Sequence, residues 1–312
     1  MREIQNILTA TDFSRGAEVA AKAAKLAADL YHSKLIATHV LQNMDDSFSL
    51  LVEDVEEHEQ QALLEAEESM GALLEELRMS KGRSRSVVTK GSAVDGLIRV
   101  ALREHADLVV AGMLGMTGSN KVGTLGGVVE QLLMSGLFDL LLVSDTIGKK
   151  IEDVAVATDF SELADLALER ATDIVKRSGG DKVTIIHAYE WPQGYSKLGH
   201  SPEDTDKHCR DAAQQLYNEM LGRLPPPEGI TYRPVFVRGK AEEAVRDACE
   251  AEEIDLLVIG SAGRTAAVAA LIGSVALRIA RSAPCSLWIT RPAGHKLGII
   301  DALCKMMGFE CD

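Results

Sequence analysis

Two rhythms of apolar and polar residues alternate along this chain. Short apolar runs, often β-branched, occur at Asn6–Ala10, Lys34–Val40, Ser84–Thr89, Leu108–Ala111 and Leu140–Ser144. Such runs predict buried strands. Helical periodicity fills the intervals between them. Ser14 is placed to cap a first helix, with Ala17, Ala20, Ala21, Ala24 and Leu26 on its inner side. A second helix is predicted over Asp54–Leu77. A third runs over about Val94–His105, with Leu97, Ile98, Ala101 and Leu102 as its apolar stripe, and a fourth begins around Gly127. Strand–helix alternation predicts right-handed crossovers and a mostly parallel five-stranded sheet with helices on both faces.

The same pattern then occurs a second time. Ala10-Thr11-Asp12-Phe13-Ser14 recurs as Ala157-Thr158-Asp159-Phe160-Ser161. His39-Val40 recurs as His187-Ala188, and Gly91 as Gly239. Asp107-Leu108-Val109-Val110 recurs as Asp255-Leu256-Leu257-Val258, and Gly112 and Gly115 as Gly260 and Gly263. One register across these landmarks marks two copies of one domain. The predicted fold class is therefore α/β, with two tandem Rossmann-like domains. The first covers residues 1–147 and the second 148–312, the latter ending in a tail over 292–312. The junction carries the polar Gly148-Lys149-Lys150. In the second copy Pro225-Pro226-Pro227 ends the long second helix before a strand at Tyr232–Val237.

Ligands of such sheets bind at the carboxyl ends of the strands, near the point where strand order reverses. The repeated residues gather there: Asp12 after strand one, Val40 at the end of strand two, Gly112 after strand four. In the second copy Gly260-Ser261-Ala262-Gly263-Arg264 leads through an uncharged stretch to Gly273-Ser274-Val275, a G-x2-G-x9-G-S pattern. Glycines let backbone N–H groups approach an anion closely. Gly273-Ser274 opens a helix whose first N–H groups and dipole favour phosphate oxygens. Ser274 adds a hydroxyl donor and Arg264 a charged one. A tight turn whose glycines serve only helix–sheet packing is the competing explanation. The pattern is neither a Walker A loop nor the G-x-G-x-x-G of dinucleotide folds.

The first copy departs from it. Gly112-Met113-Leu114-Gly115 is intact, but ten residues (116–125) separate Gly115 from Gly126-Gly127. Gly127 stands where the second copy has Ser274, and Met116 where it has Arg264. Losing a neutral and a charge-assisted donor weakens phosphate holding by several kcal/mol on typical donor values. Lys121, Thr117, Ser119 and Thr124 offer compensation. A weak or empty site is expected in the first copy, or one for a different ligand.

Composition narrows the function. The formal charge is −14, from 33 Lys and Arg against 47 Asp and Glu. A field of that sign disfavours general nucleic-acid and anionic-membrane binding, though not one phosphate held in a local pocket. Aromatics at 4% leave little for stacking single strands. Glu53–Glu76 holds ten acids and no Lys or Arg, which reads as the solvated face of a helix. The N-terminus lacks the apolar core of a signal peptide. The longest uncharged stretches, Leu108–Asn120 and Thr265–Leu277, are too short to span a bilayer. Five cysteines without a C-x-x-C pair favour reduced thiols in a cytosol over a Cys304–Cys311 disulfide.

Other residues have plainer readings. His39 and His187 at matched strand ends are expected to be structural, satisfied by nearby backbone. Asp12 and Asp159 are expected to make ligand or turn hydrogen bonds rather than hold a metal. His200, His208 and Cys209 lack zinc spacing and read as surface. Met44, Met113, Met116 and Met134 read as gap-filling core or pocket wall. The tail Leu297–Asp312 reads as an amphipathic helix docking by packing. No nucleophile, base and acid fall in an order that supports hydrolase chemistry.

The Thr-Asp-Phe-Ser opening, the His-Val ending of strand two and the G-x2-G-x9-G-S loop together resemble the universal stress protein family. The resemblance covers nearly the whole chain, as two tandem family domains. It implies an α/β fold of five parallel strands. Some members bind ATP; others lack the glycine motif and do not. Carried onto the second copy, the family pattern puts the adenosine end near Thr158, Asp159 and Ala188, with Asp159 recognising adenine. It puts ribose and phosphates against Gly260, Gly263, Gly273, Ser274 and Val275, with Arg264 beside them. The matching positions of the first copy are Thr11, Asp12, Val40, Gly112, Gly115, Gly126 and Gly127. The resemblance also implies that the last strands, Leu140–Ser144 and Ser286–Thr290, pair with each other, which would cover these edges.

The expected protein is thus a cytoplasmic ATP-binding stress-response regulator, with Mg2+ accompanying the phosphates. It has unidentified protein partners and contacts neither nucleic acid nor membrane. Symmetry priors favour a homodimer. At most a slow ATPase activity is expected. The alternatives are a scaffold of the same fold that binds no nucleotide and an enzyme of the wider adenine-nucleotide α/β group. The decayed first loop and the acidic helix favour the former; the latter lacks further catalytic side chains.

Overall fold

The computed structural model describes residues 3–42, 55–79, 82–113, 125–144, 151–192, 194, 201–261 and 272–291. They form two compact units, one within residues 3–144 and the other within 151–291. Several candidate residues lie outside them: Gly115, Met116, Thr117, Ser119, Lys121 and Thr124 of the first loop, Gly263 and Arg264 of the second, and Met44, His200, Cys304 and Cys311. The tail Leu297–Asp312 lies outside as well.

The first unit runs β1 (Asn6–Ala10), α1 (Arg15–Tyr31), β2 (Lys34–Leu41), α2 (Val55–Leu77), β3 (Ser84–Lys90), α3 (Ala93–Arg103), β4 (Leu108–Gly112), α4 (Gly127–Ser135) and β5 (Asp139–Val143). The second repeats it as β6 (Val154–Ala157), α5 (Glu162–Ser178), β7 (Lys182–Tyr189), α6 (Pro202–Arg223), β8 (Thr231–Arg238), α7 (Ala241–Ala251), β9 (Leu256–Gly260), α8 (Ser274–Ser282) and β10 (Ser286–Thr290). Within the first unit the strands pair in the order β3-β2-β1-β4-β5, and within the second β8-β7-β6-β9-β10. All these pairs are parallel. Strand order reverses between β1 and β4, and between β6 and β9. α1 packs with α2, and α3 with α4, so each reversal also switches the face that carries the helices.

Small side chains let α1 lie close on the sheet. Its buried residues are Ala17, Ala20, Ala21, Ala23, Ala24, Ala27, Ala28 and Tyr31. Leu26, predicted on this inner side, is instead 38% exposed. The alanine stripe continues through Ala27 and Ala28, and the helical period turns Leu26 outward. The acidic helix α2 buries only Ala66, Met70, Leu73 and Leu77, at spacings of three to four, and leaves its carboxylates in solvent. Met134 is 53% exposed on α4, whose inner side is Val129, Leu132 and Leu133. It is therefore not core. Pro234 sits within β8, where it needs no partner for a missing N–H because β8 is an edge strand of its sheet.

The repeated aspartates before β4 and β9 anchor the first strand of each unit. Asp107 Oδ2 accepts from the backbone N–H groups of Gln5 and Asn6 at 2.9 and 3.1 Å. Asp255 Oδ2 accepts from those of Glu152 and Asp153 at 2.9 and 3.0 Å. The Asp-Leu repeat is thus a sheet-building device.

Candidate functional site

The repeated Thr-Asp-Phe-Ser segment is a chain of short-range caps joining a strand to a helix. Thr11 Oγ1 accepts from the Phe13 N–H at 3.0 Å, Asp12 Oδ1 from the Ser14 N–H at 3.0 Å, and Ser14 Oγ from the Ala17 N–H at 3.3 Å. The second unit repeats all three: Thr158 to Phe160 at 2.8 Å, Asp159 to Ser161 at 3.0 Å, Ser161 to Ala164 at 3.2 Å. Asp and Thr suit this corner because their short side chains reach a backbone N–H two residues on. The corner is tight enough to put Phe13 and Phe160 at φ of 60° and 59°. Each ring then lies 4.6 Å, centroid to centroid, from His39 or His187. His39 Nδ1 meets the Thr11 carbonyl at 2.8 Å, and His187 Nδ1 meets that of Thr158 at 2.9 Å. The histidines are held by backbone, as expected from sequence, and they lock the corner against the end of the second strand. Both aspartates make the expected turn hydrogen bond.

Doubly wound sheets open a crevice at the carboxyl ends of the strands where strand order reverses, and that corner stands beside this point. In the second unit Thr158 and Asp159 follow β6, Ala188 lies near the end of β7, and Gly260 ends β9. The segment after β9 returns to the same place. The Gly273 N–H donates to the Ser261 carbonyl at 2.7 Å, and the Ser261 N–H to the Thr290 carbonyl at 3.0 Å. Gly273 is the N-cap of α8 and supplies no capping side chain. The first amides of α8 therefore have no side-chain acceptor from their cap, which leaves them suited to an anion. Ser274 is the first residue of that helix and is exposed, and Val275 beside it is 41% exposed. Ser261 is 1% exposed, and its Oγ is buried without a hydrogen-bond partner. The strand hydroxyls of Thr9, Thr38 and Thr184 are buried without a partner as well, so Ser261 shares this state with the sheet interior.

The first unit has the same frame with different chemistry. The Gly126 N–H donates to the Met113 carbonyl at 2.9 Å, and Gly126 is the N-cap of α4 without a side-chain bond. Gly127 takes the place of Ser274, and Met113 that of Ser261. A Cβ built on Gly127 meets nothing within 4 Å, so no packing reason requires glycine there. Thr11, Asp12, Val40 and Gly112 gather around the crevice as their counterparts do.

Sequence reasoning missed one cluster beside the second crevice. Tyr189 ends β7, and its hydroxyl donates to Asp206 Oδ1 at 2.9 Å; Trp191 Nε1 donates to the same oxygen at 3.2 Å. Arg210 Nε donates to Asp206 Oδ2 at 3.0 Å. The Tyr189 donor, then Arg210, holds the Asp206 carboxyl below its ordinary range. Burial, then the bond to Asp206, pushes the Tyr189 hydroxyl up. Arg238 lies 4.2 Å above the Trp191 ring. The first copy has Leu41 and Asn43 at the matching positions, so only a comparison of the copies carried a signal. His208, read as surface, is exposed and bonded to the Asp204 carbonyl at 2.6 Å. Among the described residues no group of three His, Cys, Asp or Glu side chains is placed to hold a metal, and no helix is long and apolar enough to cross a membrane.

Fold and crevice define a class: a duplicated, doubly wound α/β protein with a glycine-bordered crevice at the carboxyl edge of each sheet. The model of the universal stress protein family matches residues 3–144 and again 150–291, so the chain belongs to that family. A universal stress protein of Methanocaldococcus jannaschii is 28% identical over 153 residues, covering 45% of this chain and 94% of that protein. A universal stress protein of Thermus aquaticus is 26% identical over 127 residues, covering 39% of this chain and 89% of that protein. The crystal structure of a universal stress protein from Archaeoglobus fulgidus superposes with a TM-score of 0.63 at 20% identity, covering 92% of this chain and 98% of the other. A functionally unknown protein from Pseudomonas aeruginosa gives a TM-score of 0.65 at 18% identity, covering 97% and 96%. Both share the fold across both copies.

Proposed function

We propose that the chain is a stress-response regulator that binds ATP in the crevice of its second copy. In this reading Thr158, Asp159 and Ala188 face the adenosine end. Gly260, Gly263, Arg264, Gly273, Ser274 and Val275 border the ribose and phosphates, and Mg2+ accompanies them. The observation that supports it most is the start of α8: a glycine N-cap without a side-chain acceptor stands beside the exposed Ser274, the first residue of the helix. The crevice of the first copy, bordered by Gly126 and Gly127, is the weaker site. The domains are 1–147 and 148–312, and the protein works in the cytoplasm through protein partners, as a homodimer, without contacting nucleic acid or membrane. Any hydrolysis is at most slow.

The test is nucleotide content after gentle purification, with titration by added ATP. About one ATP or ADP per chain is expected. Ser274→Ala is expected to weaken binding about tenfold, the loss of one hydrogen bond to a charged acceptor. Gly127→Ser places a hydroxyl in open space and is expected to raise occupancy of the first copy. A chain that binds no ATP at millimolar concentration refutes the reading. The acidic, solvent-facing side of α2 then favours the second one, a scaffold that binds protein partners without nucleotide.

A further inference from the structure

At the opposite end of the first unit, the amino ends of β1, β2 and β3 border a cavity of about 330 Å³. Its wall holds Lys34, Arg83, Arg85 and Arg103, with Glu104 as the one carboxylate. Four cations converging in a chain of net charge −14 call for a reason. The second unit supplies a control, because its matching positions are known from the strand register. Lys34 corresponds to Lys182, but Asn6 corresponds to Asp153. Arg103 corresponds to Ala251 and His105 to Glu253. At that end Lys182 Nζ donates to Asp153 Oδ1 at 2.9 Å, and Arg233 pairs with Glu252. Each of these two cations there has a carboxylate of its own.

In the first unit the Arg85–Glu104 pair matches Arg233–Glu252, but Lys34 has Asn6 where Lys182 has Asp153, and Arg103 is an added cation. Arg85 and Arg103 share Glu104, Arg103 Nε reaching it at 3.1 Å. Arg83 is committed to the fold: its Nη2 donates to the Ala28 carbonyl at 2.6 Å and the Ser33 carbonyl at 3.1 Å, and Asp29 stands 3.5 Å away. Asp29 is itself held by Lys25 at 2.5 Å. Lys34 is exposed, and among the described residues no carboxylate pairs with it. Guanidinium forks and an ammonium around a cavity of this size match the oxygens of phosphate groups on a small molecule.

We propose that this cavity binds a phosphorylated small-molecule anion, at a site separate from the nucleotide crevice. β1 alone, five residues long, puts about 17 Å between the two ends of the sheet. The proposal does not depend on ATP binding.

The probe is inorganic pyrophosphate, titrated calorimetrically into the full chain at low salt, with hydrogen exchange followed on residues 83–85 and 103–105. Wild type is expected to bind and to protect those amides. Asn6→Asp installs the acid that the second copy already tolerates, so the fold is expected to hold. It gives Lys34 a partner and is expected to weaken binding about tenfold. Lys34→Gln/Arg103→Gln is expected to abolish the protection of residues 83–85 and 103–105, while Ser274→Ala leaves that protection unchanged. Absence of binding by wild type, or binding that Asn6→Asp and the double variant leave unaltered, overturns the proposal.

Discussion

Gly96 in α3 tests whether the two copies differ by a compensated pair of residues. A Cβ on Gly96 would lie 2.8 and 2.9 Å from the two γ-methyls of Val40 and 3.3 Å from Thr89 Cγ2. Val40 stands on β2, whose branched side chain cannot swing aside. The matching residues of the second copy are Ala244 and Ala188, in which a methyl on the helix faces a small residue on the strand. Gly96→Ala is therefore expected to destabilise by overpacking, about 1–3 kcal/mol. Alanine returns about 1 kcal/mol of helix propensity, leaving a net loss of about 1 kcal/mol. With Val40→Ala present the two contacts under 3 Å are gone, only the 3.3 Å approach to Thr89 Cγ2 remains, and the propensity gain dominates. The cycle of wild type, two single variants and the double variant should thus show coupling of about 1–2 kcal/mol. Urea unfolding followed by circular dichroism measures it, as a midpoint shift of roughly 0.5 M for Gly96→Ala. Hydrogen exchange of the α3 amides locates it. If Gly96→Ala costs the same with and without Val40, to within about 0.5 kcal/mol, the packing argument is wrong.

Two further predictions concern titratable groups. Donors from Tyr189 and Arg210 lower the Asp206 carboxyl from 3.8, so its contribution to stability is present above that value and lost as pH falls through the lower folded one. Tyr189 is raised from 10.0, so its contribution is present below that value and lost as pH rises through the higher folded one. The indole N–H resonance of Trp191 should accordingly hold steady across the neutral range and move only at the acid and alkaline extremes. A resonance that titrates between about pH 4.5 and about pH 9.5 would contradict the assignment. Cys249 and Cys285 are buried, and the Cys249 thiol is pushed up by its hydrogen bond to Cys285 and by burial. Iodoacetamide at neutral pH should label the half-buried Cys209 and leave both unmodified in the native chain. Labelling of Cys249 as fast as Cys209 refutes this.

The elements with strong local signals were legible in the sequence. Ser14 and Ser161 cap helices because a serine side chain reaches an amide three residues on, and that chemistry is readable without a fold. The apolar strands at β1, β4 and β9 announce themselves because both of their faces are covered. Leu26 shows where local reading fails, since alanine and leucine are alike apolar and only the period of the packed face separates them. The Asp206 cluster was hidden because Tyr189 and Trp191 at the end of β7 and Arg238 of β8 meet a carboxylate on α6. The cationic cavity was hidden for the same reason, although Asn6 against Asp153 stood in the alignment of the copies. The crevice was legible in its glycines and in Ser274, but the buried, unpartnered Ser261 required the packed sheet to be seen.

The backbone bond that closes each glycine segment makes that segment a replaceable cassette. Gly126 follows Met113 by 13 residues and Gly273 follows Ser261 by 12, yet both N–H groups reach the same carbonyl position at the strand end. Lengthening a closed segment by one residue in about twelve costs less than about 0.1 kcal/mol of loop entropy. Evolution can therefore exchange length and side chains here almost free of penalty to the sheet. Duplication then lets one copy keep its ligand chemistry while the other explores a new one.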